Sequence, residues 1–139
     1  MAELLLGRTI AAMSSPNEIR YTDTHEWVRT EGDIVTLGIT QHAVDELTDI
    51  TYVEMHMAGE SVSAGEPLGE IESVKATSDV YSPIAGEIIE VNEKLTDDPS
   101  LVNTDPYGEG WLVKVRVADE SGLGGLMDAT SYDEKYPLS

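Results

Sequence analysis

The residue whose setting most suggests chemistry is Lys75, in the segment ESVKATSD at 72–79. It is the only lysine or arginine between Arg29 and Lys94, in a chain with 27 acidic and 8 basic residues. A lysine amine can act as a Schiff-base nucleophile, or it can accept an acyl group from another enzyme. Its setting helps to choose between these two roles.

The acidic neighbours of Lys75 favour the second role. A nucleophilic lysine needs a pKa lowered by burial or by nearby cations. Glu70, Glu72 and Asp79 would instead favour the charged ammonium form of Lys75, which is not a nucleophile. We therefore expect Lys75 to be offered to a partner enzyme that brings an activated acyl group.

Composition excludes several other kinds of chemistry. The chain has 139 residues and no cysteine, which excludes disulfides, thiolate catalysis and cysteine–zinc sites. His25, His42 and His56 have no local metal-ligand spacing, so no metal site is predicted. A net charge of −19 argues against nucleic acid and anionic membrane surfaces, and no apolar run is long enough to span a membrane.

The N-terminus reads differently from the rest of the chain. The run LLL is short and has no basic segment before it, so it does not resemble a signal peptide. We expect residues 1–17 to be a flexible extension and residues 18–139 to form a single domain with a short C-terminal helix.

Most of the domain reads as short strands rich in Val, Ile, Thr, Tyr and Trp. These segments are EWVRT, DIVTLGIT, DITYVEMHM, EPLGEIESV, SDVYS, GEIIEVN and GWLVKVRV. The stretch TQHAVDELTD predicts a short amphipathic helix with Thr40 as N-cap. TDDPS and NTDPYGEG predict an irregular connection. A weak C-terminal helix is expected, with Leu123, Leu126 and Met127 on one face and glycines that destabilise it.

Two similar phrases flank Lys75 almost symmetrically. SAGEPLGEI at 63–71 precedes it and PIAGEIIEV at 83–91 follows it. This internal duplication predicts a mainly β fold, a flattened β-barrel or sandwich with short flanking helices. Lys75 would lie at the tip of the hairpin that joins the two halves.

The segment GEIESVKATSDVYSPIAGEIIEVN, residues 69–92, resembles the lipoyl-lysine hairpin of the glycine cleavage system H protein family. The resemblance covers about residues 18–136 and includes further segments in the same order. These are THEWV at 24–28, GIT at 38–40, LVNTDPYGEGWL at 101–112 and DATSY at 128–132. It implies the fold of the lipoyl/biotinyl hybrid-motif type, a lipoyl-carrier domain.

The resemblance also implies a function. Lys75 would carry lipoate in amide linkage and so import the redox-active sulfur that a chain without cysteine lacks. The arm would shuttle the aminomethyl group of glycine from the pyridoxal-phosphate-dependent glycine decarboxylase (P protein) to the tetrahydrofolate-dependent aminomethyltransferase (T protein). Dihydrolipoamide dehydrogenase (L protein) would reoxidise the arm, and a lipoate ligase or lipoyl/octanoyl transferase would attach it. The carrier would be a non-catalytic monomer of the bacterial cytoplasm or mitochondrial matrix.

A cleft for the loaded arm is implied as well. Glu26 and Asp79 match acidic positions that the family associates with this cleft, where they would hold a cationic amine. The alternatives are an exposed strand residue for Glu26 and a turn-capping carboxylate for Asp79. We expect His25 and Trp27 to be structural, and the segment at 103–111 to form a wall or brace beside the cleft.

Other functions stay open on the sequence alone. A lipoyl or biotinyl domain of a larger enzyme would lack the THEWV and DPYGEGW segments. A related relay protein would carry the same lysine but donate lipoyl groups to 2-oxo acid dehydrogenases. An acidic binding module would leave the symmetry about Lys75 without a reason. The glycine-rich C-terminal segment departs from the family pattern and leaves partner docking at that end undecided.

Overall fold

The computed structural model describes residues 19–136, apart from the side chains of residues 119–122. The expected extension at 1–17 lies outside the described residues. Within them, nine strands form two antiparallel sheets. The strands are β1 (Arg20–Tyr21), β2 (Glu26–Glu31), β3 (Ile34–Ile39), β4 (Ile50–Met55), β5 (Ser61–Val62), β6 (Pro67–Ser73), β7 (Thr77–Tyr81), β8 (Ala85–Val91) and β9 (Val113–Asp119).

The two sheets have different sizes. One has six strands in the order β1-β2-β3-β9-β8-β5, and the other has three in the order β4-β6-β7. Over residues 19–136 the sheets form a sandwich-like structure and do not close into a barrel. The prediction of a mainly β fold with short flanking helices is confirmed. Of the two predicted arrangements, flattened barrel or sandwich, the structure has the sandwich.

Strand β3 shows why the sequence folds this way. Its segment IVTLGI is dominated by apolar residues, and five of its six residues are buried because β3 lies inside the larger sheet. Trp27 on β2 pairs with Gly38 on β3. The Trp27 indole covers Gly38 so closely that an added Cβ would lie 2.5 Å from the ring. β3 thus packs tightly on β2 and leads directly into the first helix.

Helix α1 (Gln41–Leu47) is the helix that the sequence predicted. The Thr40 hydroxyl caps it by accepting a hydrogen bond from the Ala43 amide at 3.3 Å. Val44 is its buried residue, and Ala43 and Leu47 pack partly buried against the main core. The prediction of this helix and of its cap is confirmed.

The connection at 92–112 is more regular than the sequence suggested. It contains two one-turn helices, α2 (Lys94–Asp97) and α3 (Leu101–Thr104), where an irregular segment was expected. Each helix buries one apolar residue, Leu95 or Val102, in the core. A four-residue helix is too short to show a helical period in the sequence, so the prediction was wrong there.

The C-terminal segment contains a short helix, as expected, but not the expected apolar face. A 3-10 helix covers Glu120–Gly125 and is followed by helix α4 (Ala129–Lys135), capped by Asp128. Met127 lies between the two helices, and its backbone exchanges hydrogen bonds of 2.8 and 2.9 Å with Tyr21. Leu123, Leu126 and Met127 therefore do not form one helical face, because the chain extends at Met127 to pair with β1.

A second apolar cluster holds α4 against the sheet. It consists of Ile19, Tyr21, Trp27, Ala129 and Tyr132. No helix within residues 19–136 is long and apolar enough to cross a membrane.

Candidate functional site

Lys75 lies at the exposed tip of the β6–β7 hairpin, as the sequence predicted. Ser73 shapes this tip. Its Oγ accepts hydrogen bonds from the amides of Lys75 at 3.1 Å and Ala76 at 3.0 Å, and its own amide donates to the Ala76 carbonyl at 2.8 Å. The backbone of the tip is thus fixed, and the exposed Lys75 side chain projects from it.

The Lys75 ammonium contacts the end of helix α1. Its Nζ donates a hydrogen bond of 3.1 Å to the Glu46 carbonyl oxygen. Glu46 is in the last turn of α1, where carbonyls lack helical partners and carry partial negative charge. None of the ion pairs found among the described residues includes Lys75, so the carboxylates of Glu70 and Glu72 do not bind it directly.

A cleft of about 300 Å³ opens beside Lys75. Helix α1 forms one wall, the hairpin forms the second, and the turn entering β2 forms the third. Its lining residues are Thr24, His25, Glu26, Ile39, Ala43, Glu46, Leu47, Ile71, Lys75, Ala76, Thr77, Ser78, Asp79 and Val80. The structure therefore places Lys75, Glu26 and Asp79 along one cleft, although they come from distant parts of the chain.

Glu26 is a buried carboxylate with 1% of its surface exposed, which rules out the alternative of an exposed strand residue. Its Oε1 accepts hydrogen bonds from the hydroxyls of Thr22 at 2.6 Å and Thr24 at 2.5 Å, and its Oε2 accepts one from the Tyr81 amide at 3.2 Å. Burial raises the pKa of Glu26, and these hydrogen bonds oppose part of that rise. No cationic side chain pairs with it among residues 19–136.

Asp79 differs from Glu26 in its surroundings. It is exposed, and it lies in strand β7 opposite Glu70 rather than in a turn. The alternative of a turn-capping carboxylate is therefore wrong. Its Oδ2 accepts a 3.4 Å hydrogen bond from the Tyr81 hydroxyl. Asp79 supplies exposed negative charge at the cleft, whereas the charge of Glu26 is enclosed.

Two residues of the cleft, Thr24 and Glu46, and one residue outside it, Tyr132, were not identified from the sequence. Thr24 covers the Glu26 carboxylate, Glu46 contacts Lys75 through its backbone, and Tyr132 bonds to His25 from outside the cleft. His25 lines the cleft and has a positive φ of 72°. Burial, followed by the neighbouring His42, lowers the pKa of His25. In the sequence, only the nearby hydroxyl residues Thr22 and Thr24 could have indicated that Glu26 is buried.

The segment at 103–111 is not in contact with the cleft but braces its helix wall. The Tyr107 hydroxyl accepts a 2.9 Å hydrogen bond from the Gln41 amide at the start of α1. The Tyr107 carbonyl accepts a 2.8 Å hydrogen bond from Arg29. Of the two roles expected for this segment, the structure supports the brace. No group of three or more metal-binding side chains occurs in the part of the chain that the structure describes.

A sandwich-like domain that presents an exposed lysine on a hairpin tip, beside a cleft, has the arrangement expected of a carrier domain. Comparison with known proteins is more specific. A family model described as glycine cleavage H-protein matches residues 19–137. The chain therefore belongs to the glycine cleavage H-protein family, a family of lipoyl carriers.

Individual relatives agree with this assignment. The glycine cleavage system H protein of Rubrobacter xylanophilus is 57% identical over 108 residues, which cover 78% of this chain and 86% of that protein. The one from Marinobacter nauticus is 51% identical over 120 residues, covering 86% and 92%. A crystal structure of a glycine cleavage system H protein from Mycobacterium marinum has a TM-score of 0.82 and 42% identity, covering 89% of this chain and 100% of that chain.

Proposed function

We propose that this protein is the lipoyl carrier of a glycine cleavage system and that Lys75 carries the lipoyl group in amide linkage. The observation that carries the proposal is the position of Lys75, exposed on a hairpin tip at the mouth of a 300 Å³ cleft. An attaching enzyme can reach such a lysine without unfolding the domain, and the cleft gives the attached arm a place to lie.

The residues around Lys75 fit an amide-linked group. Amide formation removes the positive charge but leaves one N–H on Nζ. That N–H can still donate to the Glu46 carbonyl, which the amine contacts at 3.1 Å. Ser73 fixes the backbone on both sides of the attachment point. The root of the arm is then held while the rest of it remains mobile.

The cleft supplies apolar contact and negative charge. When bound, the lipoyl group supplies a disulfide that is reduced as it accepts the aminomethyl group of glycine. Ala43 and Leu47 on helix α1 give the cleft an apolar wall that limits the access of water. Asp79 brings exposed negative charge, and the buried Glu26 lies below the Thr24 hydroxyl. These groups favour a protonated amine at this position.

The proposed partners follow from this role. The P protein would load the arm, the T protein would unload it, and the L protein would reoxidise it. A lipoate ligase or lipoyl/octanoyl transferase would modify Lys75. The chain itself would act as a non-catalytic monomer in the bacterial cytoplasm, or in the mitochondrial matrix of a eukaryote. The relatives described above are named for glycine cleavage, so a lipoate relay is not favoured.

Intact mass spectrometry of protein from cells that lipoylate other proteins tests the proposal. We expect a mass increase of one lipoyl group, mapped to Lys75 and abolished by Lys75→Arg. Lys94→Arg, at an exposed lysine paired with Glu109 at 2.8 Å, is the matched control and should keep the modification. Lipoylated protein should then support glycine-dependent CO2 exchange by the decarboxylase. An unmodified Lys75 in such cells would refute the proposal.

A further inference from the structure

Tyr132, on the C-terminal helix α4, reaches two walls of the cleft from outside it. Its hydroxyl oxygen lies 2.7 Å from Thr40 Oγ1 and 2.7 Å from His25 Nδ1. Only 1% of Tyr132 is exposed, and burial raises its pKa, so the phenol stays protonated. A protonated phenol can donate one hydrogen bond and accept another, which suits a position between two polar partners.

The Thr40 contact fixes the helix wall. Thr40 is the N-cap of α1, and its Oγ1 also accepts from the Ala43 amide. Helix α1 has seven residues and is about 10 Å long, so a shift at its first turn also moves its last turn. The last turn contains Glu46, whose carbonyl contacts Lys75 Nζ. The orientation of Thr40 therefore affects the root of the arm.

The His25 contact fixes the opposite wall. His25 has φ of 72°, a left-handed conformation that non-glycine residues adopt only when their surroundings hold them. Its neighbours in the chain are Thr24 and Glu26, which carry the hydroxyl and carboxylate of the cleft floor. A hydrogen bond that restrains the His25 ring therefore also restrains the backbone that places Glu26.

We propose that Tyr132 is a positioning residue that sets the separation of helix α1 from the turn before β2, and thereby the width of the arm cleft. The proposal rests on the proposed function, because the cleft matters only if Lys75 carries an arm. It assigns the C-terminal helix a role in the site. Helix α4 lies outside the cleft, yet the Tyr132 hydroxyl is bonded to residues of two of the three walls.

Hydrogen exchange of the unlipoylated full-length chain, measured by NMR, tests this role. Tyr132→Phe keeps the ring and removes the hydroxyl. We expect the amides of Val44 and Thr48, which donate within and at the end of α1, to exchange about tenfold faster, the effect of one lost buried hydrogen bond. The amide resonances of Glu46 and Lys75 should shift, whereas exchange in strand β9 should be unchanged.

The matched control is Tyr136→Phe. Tyr136 lies one turn further along, its ring also contacts His25 at 4.6 Å between centroids, and its hydroxyl bonds to Asp23 at 3.1 Å. It should leave α1 exchange unchanged. Equal acceleration by both variants, or no acceleration by Tyr132→Phe, would overturn the proposal.

A second pair of variants keeps the test decisive if Tyr132→Phe does not fold. Thr40→Ser retains the hydroxyl and Thr40→Val removes it. If Tyr132 links the walls, the imidazole nitrogen resonances of His25 should move in Thr40→Val and stay in Thr40→Ser. The Thr40 amide also donates a 3.0 Å hydrogen bond to the His25 carbonyl, but that bond acts on the backbone and not on the imidazole Nδ1 that Tyr132 contacts, so unmoved imidazole resonances in Thr40→Val would reject the link. None of these measurements needs a lipoyl group, so a failure of Lys75 lipoylation would be detected separately.

Discussion

Lys75 Nζ and the Glu46 carbonyl oxygen lie 3.1 Å apart, which joins the tip of the hairpin to the last turn of helix α1. These two residues are 29 positions apart in the chain. The contact places a cation at the negative end of a helix, although the contact is exposed and so contributes little to stability.

Removing the charge of Lys75 should change this contact without changing the fold. We expect Lys75→Gln to shift the Glu46 carbonyl carbon resonance while the free energy of unfolding changes by less than about 1 kcal/mol. Lys75→Arg, which keeps the charge, should give a smaller shift. NMR and urea unfolding provide the two measurements. A Glu46 resonance that is the same in all three proteins would show that the contact does not form in solution.

Ser73 should control how well Lys75 is presented. Ser73→Ala removes the acceptor for the amides of Lys75 and Ala76, so the tip should become more mobile. We expect a several-fold slower lipoylation rate with a loss of unfolding free energy of about 1 kcal/mol. Ser78→Ala on the same hairpin is the control, since the Ser78 hydroxyl makes only a long 3.4 Å contact with a backbone carbonyl. Equal rates for the two variants would contradict the role of Ser73.

Glu26 should make the protein less stable as pH rises. Burial raises its pKa above the ordinary value of 4.5, so the folded state binds the Glu26 proton more tightly than the unfolded state does. Stability from this group is therefore present at low pH and is lost as pH rises from 4.5 through the raised pKa. Glu26→Gln should have a flatter dependence and equal or higher stability at about pH 7.

Urea unfolding between about pH 4.5 and 7.5 checks the Glu26 prediction. The hydroxyls of Thr22 and Thr24 can accept as well as donate, so they can accommodate the side-chain amide that the Glu26→Gln substitution introduces. Asp79→Asn, at the exposed acid of the same cleft, is the control and should keep the wild-type slope. The prediction would be wrong if the wild type became increasingly more stable than Glu26→Gln as the pH rises.

His25 should have the opposite pH dependence. Burial and the nearby His42 lower the pKa of His25 below 6.5, so the unfolded chain takes up the proton first. The stability that the neutral ring contributes is present above pH 6.5 and is lost as pH falls through this range. His25→Asn should lose less stability between about pH 7 and 5, and asparagine tolerates the positive φ at this position. The exposed His56, changed to Asn, serves as the control in the same unfolding series.

Gly38 should be intolerant of any side chain. An added Cβ would lie 2.5 Å from the Trp27 indole, which is buried and has no space to move. Gly38→Ala should therefore cost about 1–3 kcal/mol of unfolding free energy through overpacking. Gly124→Ala, where an added Cβ meets nothing within 4 Å, should be close to neutral. Denaturant unfolding of the two variants would refute the close packing if their stabilities were equal.

The strands and the first helix were predictable because their patterns are local. Helix α1 has helical spacing and a threonine cap, and most of the seven longer strands are rich in β-branched and aromatic residues. β1 and β5 have two residues each, too few to show an alternation. Their strand geometry comes from pairing with β2 and β8, which is tertiary information.

The candidate site was only partly predictable. Lys75 stood out because of its isolation and the similar phrases around it. The burial of Glu26 could not be predicted, because a charged residue at the start of a strand is usually exposed. Its donors are the side chains of Thr22 and Thr24 and an amide 55 positions away, at Tyr81. Likewise, Tyr132 meets Thr40 only through the docking of α4, which no local pattern encodes.

The packing of Trp27 over Gly38 also provides an optical reporter for the site. Trp27 and Trp111 are the two tryptophans of the chain, and Trp27 follows Glu26 directly while its indole donates to the Pro106 carbonyl at 2.9 Å. Trp111 is half-buried, with the Lys114 ammonium 5.2 Å from its ring. A Trp111→Phe protein would keep one tryptophan, next to Glu26 in the chain, which can be excited at a wavelength where the six tyrosines do not absorb. Its emission would then follow events at the arm site in real time, without an attached dye.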